Sequence, residues 1–73
     1  MAIKFLGMHN EKAQKFALWL KENLINFQIE VNTFGWDIII LSPNNITLDF
    51  NNEDITINND IVINNTDFIT IEI

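Results

Sequence analysis

The chain has no cysteine and no tyrosine, two glycines and one proline in 73 residues, and its only cations are four lysines. Without cysteine there is no disulfide and no thiolate metal site. Gly7 and Gly35 lie too far apart to build a glycine-rich loop that cradles phosphates. Arginine, which supplies bidentate contacts to phosphates and guanines, is missing, so direct nucleic-acid binding is disfavoured. His9 is the single histidine and Ser42 the single serine, and neither stands in a nucleophile motif. No apolar run approaches the roughly 20 residues of a membrane span. The start, MAIKFLGMHNEK, lacks the long apolar core of a secretory signal, so a cytoplasmic location is expected. Together these absences predict a protein that is not an enzyme, needs no cofactor or metal, and touches neither membrane nor nucleic acid.

What is present is a pattern. From Ile46 to Ile73 the chain reads ITLDF-NNED-ITI-NND-IVI-NNTD-FITIEI. Apolar residues recur at alternate positions, the mark of strands with one buried side. Ile46, Leu48 and Phe50 share a face, as do Ile55 with Ile57, Ile61 with Ile63, and Ile69 with Ile71 and Ile73. Asparagine pairs fall at the breaks: Asn51-Asn52, Asn58-Asn59 and Asn64-Asn65. Asparagine tolerates left-handed backbone angles, so the pairs read as hairpin turns of an antiparallel meander. The rival is a calcium-binding parallel roll, which normally needs glycines in its turns, and this stretch has none.

The rest of the chain precedes that meander. Residues 1–6 read as a strand ended by Gly7, with Ile3 and Phe5 turned one way. A helix is expected over residues 11–26, with Asn10 as its cap and Glu11 in its first turn. At about 100° per residue, Ala13, Phe16, Ala17, Leu20, Leu24 and Phe27 form its core stripe. Trp19 flanks that stripe as a lid, while Leu18 and Ile25, a heptad apart, read as an apolar contact on the far side. Strands are expected over residues 28–33, with Ile29 and Val31 inward, and 36–41, joined by a Phe34-Gly35 turn. The run from Ile38 to Leu41 is apolar on both faces and suits a central strand. The fold class is therefore α+β: a single domain over residues 1–73, β-α-β-β followed by a meander over 46–73, with one amphipathic helix on a mostly antiparallel sheet.

Charge points to a partner. The net charge is −6. Lys4, Lys12, Lys15 and Lys21 face only Glu11 before residue 22, and every charged residue from Glu22 onward is an acid. Asp49, Glu53, Asp54, Asp60, Asp67 and Glu72 are expected to form an acidic face that a protein with a basic surface reads as phosphates. A nuclease or a CRISPR effector is such a protein. The abundance of isoleucine, asparagine and phenylalanine fits AT-rich coding, which ordinarily favours lysine, so scarce lysine points to selected acidity. A phage or mobile-element inhibitor, of the anti-CRISPR kind and acting in the host cytoplasm, is the expectation. One alternative is a self-assembling protein, a homodimer among others, with Leu18, Trp19, Ile25, Val62 and Phe68 as apolar contacts. The other is an immunity protein or antitoxin that neutralises a nuclease toxin.

Overall fold

The computed structural model describes residues 2–73. Met1, assigned to the expected first strand, lies outside them. The order is β1 (Ile3–Met8), α1 (Asn10–Glu22), β2 (Gln28–Asn32), β3 (Gly35–Ile40), β4 (Leu48–Asn51), β5 (Asp54–Ile57), β6 (Ile61–Asn64) and β7 (Ile69–Glu72). One helix packs on antiparallel strands, as expected. The strands form two sheets, β2-β3-β1-β7 and β4-β5-β6.

In the first sheet β3 is central, as its two-sided apolar run predicts. Its Ile38 and Ile40 pair with Phe5 and Ile3 of β1 and are buried with them. Helix α1 lays Ala13, Phe16 and Leu20 over this inner face, and the Phe16 ring meets Phe5 edge-on at 4.9 Å. Ile55, Ile57 and Ile63 of the second sheet complete the same core. Ile29 and Val31 share the inner side with Ile38 and Trp36 but stay exposed, because β2 is an edge strand.

Several boundaries move for local reasons. Strand β1 does not end at Gly7: a bulge between Phe5 and Met8 carries it on. Gly7 takes φ +78°, and the Asp37 carboxylate accepts its N–H at 2.9 Å. The β2–β3 turn is Thr33-Phe34, with Gly35 already in β3. A side chain on Gly35 would meet the Met8 carbonyl oxygen at 2.8 Å, so the only two glycines of the chain face each other at the bulge.

The cap of the helix is His9, whose carbonyl accepts from Ala13 N–H, and not Asn10, which is the first helical residue and whose side chain accepts from Gln14. It stops at Glu22, four residues short of expectation. Leu24 adopts φ 58°, its N–H bonds the Lys21 carbonyl, and Ile25 N–H bonds the Leu20 carbonyl. That pair of bonds is a Schellman closure, with leucine where glycine is usual. Leu24 therefore leaves the expected core stripe and is 91% exposed.

The meander holds over β4, β5 and β6. Leu48, Ile57 and Ile61 pair across the sheet, as do Phe50, Ile55 and Ile63, so the expected faces are present. Antiparallel pairing excludes the parallel roll. Asn52, Asn58 and Asn59 take left-handed angles at the two hairpins. Asn58 also clamps the loop before β4, donating to the Asn45 carbonyl and accepting from Thr47 N–H. The third asparagine pair makes no hairpin. After Asn64 the chain crosses to the first sheet, where β7 pairs with β1. There Phe68 is buried against Phe5, and Thr70 shares the inner side with Phe5. Ile69, Ile71 and Ile73 consequently point outward, against the expectation that they face the core.

Candidate functional site

The second sheet has two unlike faces. Its inner side is apolar, with Leu48 and Phe50 from β4 and isoleucines from β5 and β6. Its outer side carries Asp49 and Asn51 from β4, Asp54 and Thr56 from β5, and Val62 and Asn64 from β6, by the alternation that the pairing defines. The two-residue turn Asn52-Glu53 closes on the Asn51–Asp54 pair and brings Glu53 to the rim. Asn64 Nδ2 donates to Asp54 Oδ1 at 3.5 Å, and Asn51, Asn52, Glu53, Asp54 and Asn64 line one shallow hollow. Asp49 lies opposite Thr56, which makes Asp54 its diagonal neighbour, about 7–8 Å away by antiparallel geometry. Each carboxylate can therefore meet a cation of its own.

Within the described residues no lysine stands at ion-pair distance from these acids. Among the described residues the one ion pair joins Lys12 to Asp67 at 3.5 Å. Lys4 belongs to the first sheet and Lys12, Lys15 and Lys21 to the helix. Asp49, Glu53 and Asp54 thus have no ion-pair partner among the described residues, and Val62 is exposed on β6 of the same face.

The other three acids do not join it, and the single six-carboxylate face is corrected accordingly. Asp60, in the β5–β6 turn, accepts from Trp19 Nε1 at 3.0 Å and ties the helix to the second sheet. Asp67, in the link to β7, is held by Lys12, whose Nζ also donates to the Asn64 carbonyl at 2.8 Å and lies over the Phe68 ring. Glu72 stands on β7 in the first sheet.

The apolar set divides as well. Leu18 and Val62 are exposed, but on different elements. Trp19 is a half-buried lid beside Phe16. Ile25 packs on the core beyond the end of the helix, so its heptad relation to Leu18 is lost. Phe68 is buried and offers no contact surface. From sequence Asn51 and Asn64 read only as turn residues and Thr56 carries no site role, although the spacing of two residues from Asp49, Asp54 and Val62 places all three on the outer face.

The hollows among the described residues differ in their linings. His9 and Ser42 line separate ones, and the hollow around Ser42, between the helix end and the loop after β3, contains no ionisable side chain. Among the described residues no three histidines or acids gather to hold a metal, and no helix is long and apolar enough to cross a membrane. No protein-family model, curated protein or solved structure matches the chain, so a functional reading rests on its own residues.

Proposed function

We propose that this is a small acidic binding protein that works without catalysis, by occupying a basic surface of a nucleic-acid-handling protein. The observation that carries the reading is the outer face of the second sheet. There Asp49 and Asp54 stand on the strand ladder and Glu53 at the turn that closes it, flanked by amides, with no lysine among them. A lysine- and arginine-rich channel built for phosphates meets the same charge in this array, and burying Val62 on the neighbouring strand adds apolar contact beside it. The uncompensated field also speeds encounter with a basic target. A nuclease or CRISPR effector is the class of partner, and a phage or mobile-element inhibitor in the host cytoplasm is the setting.

The test is affinity capture from host lysate at low and high salt, with the protein unaltered and with Asp49→Lys, Glu53→Lys and Asp54→Lys combined. A basic nucleic-acid-handling protein is retained by the unaltered chain, weakened by salt and lost from the triple variant. Glu72→Lys, on the other sheet, leaves capture intact. Equal capture by the triple variant rejects the proposal.

A further inference from the structure

We infer that β7 pairs with β7 of a second copy, joining two first sheets into one across a twofold axis. The argument begins with backbone groups. Antiparallel strands alternate residues that bond their neighbour with residues whose N–H and C=O point away. Ala2 and Ile73 exchange both bonds at 2.8 Å, so Ile71 and Ile69 bond β1 in turn. Thr70 and Glu72 therefore present their N–H and C=O to the open edge, and among the described residues nothing pairs with them.

The two sheets have four such edges, and charge separates them. Tight turns are closed by the bonded pairs Asn32–Gly35 and Asn51–Asp54, which leaves Ile29 and Val31 open on β2, and Leu48 and Phe50 open on β4. Self-pairing of β2 through both open residues sets Glu30 opposite Glu30 of the other copy. The same register on β4 sets Asp49 opposite Asp49. In such non-bonded positions the Cα atoms are about 4.5 Å apart, and like charges there repel. On β6 the Asn64 carbonyl is already taken by Lys12. Each of these edges is guarded by a charge, the usual protection against strand addition.

Only β7 is unguarded. Its twofold register pairs Thr70 with Glu72 of the partner and Glu72 with the partner's Thr70, forming four bonds with no like charges opposed. Ile71 then faces its own copy, and Ile69 faces Ile73. These isoleucines point outward and are 64%, 38% and 64% exposed at positions 69, 71 and 73, so the pairing covers an apolar row that one copy leaves to water. Stacking the outer faces flat on one another instead buries Lys4, which pairs with Ile71 within that face. Edge pairing leaves Lys4 in solvent.

Light scattering across the micromolar to millimolar range tests the inference. A mass of twice the 8.5 kDa chain is expected at the upper end. Ile71→Glu sets two carboxylates against each other at the twofold, while within one copy the new carboxylate lies beside Lys4. It should return the mass to one chain with an unchanged circular dichroism spectrum. Glu72→Pro removes an N–H that β1 does not use and with it two of the four bonds, and weakens the dimer at least tenfold. Amide exchange at Thr70 and Glu72 should slow as concentration rises. Overturning results are a single chain at every concentration, a mass that grows past two, or a dimer that survives both substitutions.

Discussion

Leu24 and Gly35 both hold a positive φ, with opposite fits. Leu24 closes the helix at φ 58° with its side chain in water, so the left-handed strain, about 1 kcal/mol, is offset by no contact. Leu24→Gly should raise the unfolding free energy by about 1 kcal/mol, read as a higher urea midpoint at unchanged slope. A lower midpoint means that the leucine packs against something. At Gly35, φ is 129° and a Cβ meets the Met8 and Gly7 carbonyl oxygens at 2.8 and 3.0 Å. Gly35→Ala should cost roughly 2–4 kcal/mol, because both strain and overlap apply and the contacts are backbone. Stability within about 0.5 kcal/mol of the parent contradicts the bulge geometry.

Between elements, Lys12 joins helix, second sheet and β7 link through the Asn64 carbonyl, Asp67 and the Phe68 ring. Lys12→Met keeps the stem over Phe68 and removes the charge. With Asp67 mostly in water, the loss should be only about 0.5–1.5 kcal/mol in urea unfolding, smaller at high salt. A loss above about 3 kcal/mol contradicts so exposed an arrangement. These ties were not legible in the sequence, since Lys12 reads as a cation on the solvated side of the helix and Asn64 as a hairpin-turn residue. The alternation of β4 to β6 was legible, because isoleucine faced threonine, aspartate or asparagine at nearly every step. Alternation tells which residues share a face, not which face is buried. For Ile69, Ile71 and Ile73 the choice fell to Phe68, whose ring joins Phe5 in the core and turns the isoleucines out. The same limit hid the split of the acids: Asp60 and Asp67 are adjacent to the array in sequence but are turned to the helix.

For the whole molecule the question is why a chain of net charge −6 leaves Asp49, Glu53 and Asp54 without a cation when four lysines are available. Uncompensated like charges on one short sheet oppose folding and favour encounter with a basic surface, and salt screens both effects. Stability and binding should therefore respond to salt in opposite directions. Urea midpoints should rise between low and moderate salt while capture of the basic partner falls. Asp49→Asn, Glu53→Gln and Asp54→Asn together should raise stability at low salt by a few tenths to about 1 kcal/mol, lose that advantage at high salt, and bind no partner at either. Acidity that only keeps the protein dissolved predicts the same gain in stability with capture unaffected. The neutral triple variant separates the two roles because its side chains keep their size and their places in β4, β5 and the turn between them, and only the charge is gone.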